Sequence, residues 1–153
     1  MIETLLKFPF SAVINIAQLV FNRSRLKLEC GFTNYPSEDS AGNFLVFWIK
    51  IINPSGKPFY FERIEAKDSK GEVFFPMILE EKSGQEIPPQ RNIVALIPCG
   101  HIINTTPREI SIVDTTERYH KLKGRKLSTA VAALKKEVAR LKNLGLKVHP
   151  RGK

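Results

Sequence analysis

Nine consecutive residues, FLVFWIKII at 44–52, carry one charge and show no alternation of apolar with polar side chains. A strand with one face in water alternates, so a run that is apolar on both parities needs cover on both faces. Turn-forming stretches bound it: NYPSEDSAGN at 34–43 before it and Asn53-Pro-Ser-Gly56 after it. The run therefore reads as a central strand, with an opposite sheet on one side and a helix on the other. Period 2 puts Phe47 and Trp48 on opposite sides of it.

The neighbouring segments supply the rest of a sheet protein. Leu26, Leu28 and Cys30 alternate with Lys27 and Glu29, as in a strand with one wet face. PFYFERIEAKD returns after the turn at 53–56. There Phe59 and Phe61 share one parity and Ile64 and Ala66 the other, so a bulge at Glu62–Arg63 is needed to put all four on one face. Asp68-Ser-Lys-Gly71 is a second tight turn, and EVFFPMIL continues the meander until Pro76 interrupts pairing. Beyond a loop at 81–90, NIVALIP (92–98), REISIVD (108–114) and RYHKL read as three more strands. Pro98-Cys-Gly-His101 and Asn104-Thr-Thr-Pro107 bracket the first connection between them, and a turn near Thr115-Thr-Glu117 makes the second. About seven short strands at this spacing predict an antiparallel β-sandwich over residues 26–123. At 153 residues the chain has room for one ordinary core.

The stretch WIKIINPSGKPFYFERIEAKDSKGEVFF, the later IPPQ, and EISIVDTTERYHKL resemble a recurrent bacterial β-sandwich pattern. In that pattern a strand runs into a turn marked by Asn, Gly and Pro. A closing hairpin carries Val-Asp, a turn glycine and a tyrosine. Asn53, Gly56 and Pro58 match, whereas Glu117 stands where the pattern has its glycine. The resemblance implies an immunoglobulin-like shape and, since most such domains lack an assigned activity, very little about function. Cys30, Trp48 and Cys99 look superficially like the antibody Cys…Trp…Cys spacing. The position two before Cys99 is Ile97, where an antibody-type domain has its corner tyrosine, so two thiols are expected rather than a bridge.

Both ends differ from the sheet domain. From Leu5 to Phe21 the only charge is Lys7, and residues 10–21 on a helical period leave one narrow polar stripe of Ser11, Asn15, Gln18 and Asn22. An apolar N-terminal helix within 1–25 is expected, with Pro9 in its first turn and its flanks buried against protein. The stripe holds no Lys or Arg, unlike a typical interfacial helix, so lipid contact is the alternative. Arg23, Arg25 and Lys27 follow the apolar run and Glu3 precedes it, an order unlike a cleaved secretory signal. At the other end Leu127, Val131, Leu134, Val138 and Leu141 recur at 4-3-4-3 spacing, so 124–153 reads as an amphipathic basic helix and tail docked on the domain. Ser128 is the expected cap, and Gly145 the expected left-handed stop, with Leu146 folding back on Leu141.

Charge is segregated in the same way. Residues 1–117 hold 12 Lys/Arg and 14 Asp/Glu; residues 118–153 hold the other 12 Lys/Arg and only Glu137. The net charge of +9 is thus a property of the C-terminal region, which suits contact with an anionic surface there. Lys121, Lys123, Arg125 and Lys126 cluster at the junction of strand and helix, and Lys135, Lys136, Arg140 and Lys142 avoid the apolar stripe. These eight are the expected polyanion-binding residues. Tyr119 is the only aromatic among them, too few for base stacking, so any nucleic-acid binding would be independent of sequence.

No catalytic residue and no metal site is assigned. Asp114, Thr115, Thr116, Glu117 and His120 form the densest polar cluster and read as a hairpin turn whose side chains satisfy backbone groups. Cys99 and His101 are two apart, but the other donors are scattered singly, short of a zinc set. Nothing resembles a Gly-x-Gly-x-x-Gly, a Gly-Lys-Ser/Thr loop or a Gly-x-Ser-x-Gly elbow, and no cofactor is implied. The expectation is a non-enzymatic protein-interaction or accessory module without a cofactor, cytoplasmic, its partner a protein or a second copy of the chain through the apolar helix. Polyanion binding through the basic region and membrane-surface association through the N-terminus are the alternatives.

Overall fold

The structure is a computed structural model that describes residues 25–35, 44–80, 82–146 and 148. The expected N-terminal helix and most of the 34–43 loop lie outside the described residues. Within them the fold is mainly β, with two antiparallel sheets and a C-terminal helix.

The first sheet has the order β1-β2-β6: β1 is Lys27–Tyr35, β2 Phe44–Ile52 and β6 Asn92–Pro98. β2 is the middle strand, as its two-sided apolar run requires. Leu45, Phe47, Ile49 and Ile51 point into the core with at most 2% of their surface exposed. Phe47 and Trp48 take opposite sides, and the half-buried Trp48 lies over Gly31 of β1, its register partner. A Cβ on Gly31 would come within 2.6 Å of the indole, so glycine is what lets the ring lie flat there.

The second sheet is built on β3 (Phe59–Lys67), β7 (Glu109–Asp114) and β8 (Tyr119–Lys123). Two dipeptide strands flank β3 at its opposite ends, β4 (Val73–Phe74) and β5 (Glu86–Ile87). β5 was expected to be loop. The β3–β7 register slips between Phe61 and Arg63, leaving Glu62 as the extra residue. That bulge turns Phe61, Ile64 and Ala66 to the same side, where all three are buried. One hydrophobic cluster takes in residues of both sheets, and each fully buried Ile, Leu or Phe contributes ~1.5–3 kcal/mol.

Among the described residues two helices complete the fold. α1 (Cys99–Ile103) occupies the connection after β6 and buries Cys99 and Ile102, where the turn signals at 98–101 and 104–107 predict irregular chain. α2 (Arg125–Asn143) follows β8 through Gly124 alone, whose φ of 75 and ψ of −152 belong to a region that only glycine enters readily. Ser128 is therefore not the cap. The chain pivots into the helix at Gly124, and Ser128, one turn inside, donates its hydroxyl to the Arg125 carbonyl. The stripe Leu127, Val131, Leu134, Val138 and Leu141 is wholly buried and joins the common core beside β1, β8 and α1. At the far end Gly145 has a φ of 74 and donates to the Lys142 carbonyl at 2.9 Å, and Leu146 donates to Leu141 at 3.0 Å. Those two bonds make a Schellman closure. Leu146 stays 41% exposed and adds little apolar contact to it.

Candidate functional site

The polar cluster at the β7–β8 turn is built for structure. Asp114 Oδ1 accepts the amides of Thr116 and Arg118 and the Thr116 hydroxyl, at 2.9, 3.1 and 2.6 Å. Its Oδ2 lies 3.0 Å from His120 Nε2, and His120 Nδ1 accepts the Leu26 amide at 3.2 Å. Because Nδ1 accepts, the proton sits on Nε2 and is donated to Asp114. Both ring nitrogens are thus committed, leaving no lone pair for base chemistry. Burial works against the Asp114 charge, but hydrogen bonds from the Thr116 hydroxyl, His120 and the turn amides outweigh it and hold the carboxyl below its ordinary value. Glu117 sits at φ 60 in the left-handed region, and its carboxylate takes two bonds from Arg63. Cys99 and His101 diverge on α1: the thiol is buried and donates to the Val148 carbonyl, whereas the exposed imidazole accepts the Met77 amide. Burial pushes the Cys30 and Cys99 thiols up, away from nucleophilic thiolate.

The basic region is more instructive. At 100° per residue, the buried stripe of α2 leaves Arg125, Lys136 and Arg140 facing outward, Lys126 on one flank, and Lys135 and Lys142 on the other. The contacts agree. Lys126 reaches back to the Leu28 carbonyl of β1 at 2.8 Å, whereas Lys135 reaches Thr106 Oγ1 at 2.6 Å on the opposite side. Arg140 is engaged by Glu137 in two bonds of 3.0 and 2.6 Å. Arg125, Lys136 and Lys142 are exposed and form no ion pair among the described residues. The eight expected cations therefore fall into separate groups rather than one row.

Two of them, Lys123 and Lys135, meet at a cleft of about 630 Å³. Its sheet wall is a cross-strand row, Lys67–Glu109–Lys123, fixed by the β3–β7 and β7–β8 registers. Its helix wall is Ser128, Val131, Ala132 and Lys135, and the turns at 68–71 and 106–108 close its ends with Asp68 and Arg108. The two acids already have partners. Glu109 lies 3.4 Å from Lys121, and Asp68 Oδ1 accepts the amides of Lys70 and Glu72 at 2.8 and 2.9 Å. A smaller hollow of about 410 Å³, with Val73, Tyr119 and Lys121, continues from it along the outer face of the second sheet. No local spacing marks Lys67, Thr106 and Arg108: Lys67 comes to the cleft through the β3–β7 pairing, and Thr106 and Arg108 through the connection that leads into β7. Lys-Gly-Arg at 123–125 was the one local sign that strand and helix meet there.

Among the described residues no helix is long and apolar enough to cross a membrane. No protein-family model matches the chain. No curated protein and no solved structure matches it either.

Proposed function

We propose that this chain is a non-enzymatic binding module, an immunoglobulin-like sandwich whose C-terminal helix presents a basic face to an anionic partner. The observation that carries this reading is the division of labour on α2. Its apolar stripe is consumed in docking, while Arg125, Lys136 and Lys142 stay exposed without a carboxylate partner among the described residues. Spread over about 25 Å of helix, with Lys142 toward one flank, these cations suit successive charges of an extended polyanion rather than one small anion. The start of the helix adds to this reading. Arg125 and Lys126 stand in a first turn with no acidic residue, at the positive end of the helix dipole and without a side-chain cap, an arrangement that costs about 0.3–1 kcal/mol per misplaced charge.

The test uses fluorescence anisotropy of a labelled duplex DNA, as a generic polyanion, with the full chain over ~50 to ~300 mM salt. Binding independent of base sequence is expected, with a log–log salt slope near −3 for about three phosphate contacts. Reversal of Arg125, Lys136 and Lys142 to Glu should remove it. Affinity unchanged in that triple variant overturns the reading.

A second reading, contact with another protein, draws on Val73, Phe75 and Met77, which are 53, 66 and 43% exposed along one short segment. Apolar side chains exposed in succession suit a partner's apolar face. Sedimentation velocity of the full chain against Phe75→Asp tests a second copy as that partner: association that depends on concentration and is lost in the variant supports it.

A further inference from the structure

We propose that the cleft between α2 and the end of the second sheet binds a phosphate monoester carried on a small apolar body. This deepens the anionic-partner reading and rests on it only for the sign of the charge. The head group follows from the charges left over. Glu109 is matched to Lys121, and Asp68 keeps its charge while its turn amides hold it, so Lys67, Arg108, Lys123 and Lys135 around the opening leave an excess of three positive charges. They come from β3, the segment before β7, β8 and α2, so the fold assembles the set rather than one run of sequence. Such an excess suits a group with nearly two negative charges, as a phosphate monoester has at neutral pH, better than a single carboxylate. Lys135 is already oriented by Thr106 Oγ1 and keeps two more protons to donate.

The body follows from the walls. Behind the charged ends the lining is carbon: Val131, Ala132, the Pro107 ring and the methylene stems of the lysines. A volume of about 630 Å³ falls within the range of small-molecule sites and far exceeds what a bare phosphate needs. An inorganic ion would leave that apolar surface wet, whereas an alkyl or aryl phosphate covers it.

The experiment is amide NMR of the ¹⁵N-labelled full chain titrated with octyl phosphate below its micelle concentration, with 1-octanol and inorganic phosphate as half-ligands. Saturable shifts are expected at residues 106, 108, 109 and 123–135, with each half-ligand at least about tenfold weaker. Ala132 is exposed on α2, so Ala132→Trp fills the cleft without changing charge or core, and it should abolish these shifts. Lys123→Glu with Lys135→Glu should weaken binding by about tenfold or more. The triple variant of Arg125, Lys136 and Lys142 should stay within about twofold of wild type, which separates failure of this site from failure of the outer face. Vesicles containing phosphatidate distinguish the two sources of the head group. Retention on vesicles that Ala132→Trp removes assigns it to a lipid, and binding of the soluble ester alone assigns it to a free phosphorylated compound. Octanol binding as tightly as octyl phosphate, or shifts that survive Ala132→Trp, overturns the proposal.

Discussion

His120 on β8 and Asp114 at the end of β7 lie 3.0 Å apart, with 5% and 4% of their side chains exposed. Through its other nitrogen His120 holds the Leu26 amide, just before β1, so one imidazole ties the second sheet to the start of the first. The Phe59 ring packs edge-on against it at 5.5 Å. A polar group this deeply placed is tolerated because every polar atom is matched.

That arrangement gives stability a dependence on acid. The folded-state pKa of Asp114 lies below its ordinary 3.8, so its contribution is fully present above that value and is lost as pH falls through the lower folded value. Asp114→Asn should therefore be clearly destabilised at neutral pH, and the gap to wild type should close as acid protonates the wild-type carboxyl. Urea unfolding of both proteins between pH 7 and pH ~2.5 measures the gap; a constant difference across that range would remove Asp114 from the acid response.

Gly31 and Trp48 make a second pair whose fates are linked. Gly31→Ala places a methyl 2.6 Å from Cζ2 and 2.8 Å from Cε2 of the indole, so ring or strand must move, at a cost of about 1–3 kcal/mol. Trp48→Leu should absorb most of that cost, making the double variant less destabilised than the sum of the two. Trp48 is the chain's only tryptophan, so its emission reports on the strain directly in Gly31→Ala. Additive stabilities would show that the two residues do not press on each other.

Asn53 is fully buried in the turn after β2, and its amide is the hub of that turn. Nδ2 donates to the Lys57 and Ile87 carbonyls at 2.7 and 3.0 Å, while Oδ1 accepts the Ser55 amide and hydroxyl at 3.0 and 2.7 Å. Asn53→Ala removes the acceptor of the Ser55 amide and a donor to the Ile87 carbonyl in a buried turn, while the Ser55 hydroxyl and Lys57 carbonyl keep their own bond at 2.9 Å. About 2–4 kcal/mol of stability should go with the loss. Asn53→Asp should be similarly costly, because it replaces the two donors with an acceptor facing two carbonyls. Denaturant midpoints at unchanged slope would measure both losses, and a loss below about 0.5 kcal/mol would contradict the burial.

The parts of this molecule readable from sequence are those in which local pattern and burial coincide. The two-sided run at 44–52 became the middle strand of its sheet, the parity break at Glu62 became a bulge, and NIVALIP gave β6 at its observed bounds. What escaped depends on tertiary partners. α1 is five residues long, below the length at which a helix holds by itself, and owes its existence to the burial of Cys99 and Ile102. β5 is two residues that pair only because β3 offers them an edge. Ser128 had the chemistry of a cap, but the pivot at Gly124 moved the start of α2 upstream of it. The cleft depends on registers that bring Lys67 beside Glu109 and Glu109 beside Lys123, and no spacing along the chain encodes that row.

The docking of α2 decides whether residues 124–153 form a separable module or part of the folding unit. Leu134 is fully buried at the centre of the stripe and belongs to the same cluster as Phe47 and Ile112. If the helix were an appendage, Leu134→Ala would loosen it alone. Far-UV circular dichroism would then lose helix at lower denaturant than Trp48 emission loses the sheet. The shared core argues for one transition, since removing the side chain leaves a cavity lined by sheet residues as well as helix residues. Leu134→Ala should therefore lower the whole transition by about 2–5 kcal/mol with both probes still coincident. Leu134→Asp should prevent folding of the full chain, whereas Lys136→Asp, two residues away on the exposed face, should cost under about 0.5 kcal/mol. Separate transitions for the two probes in Leu134→Ala would make α2 an independent element and detach its basic face from the stability of the sheets.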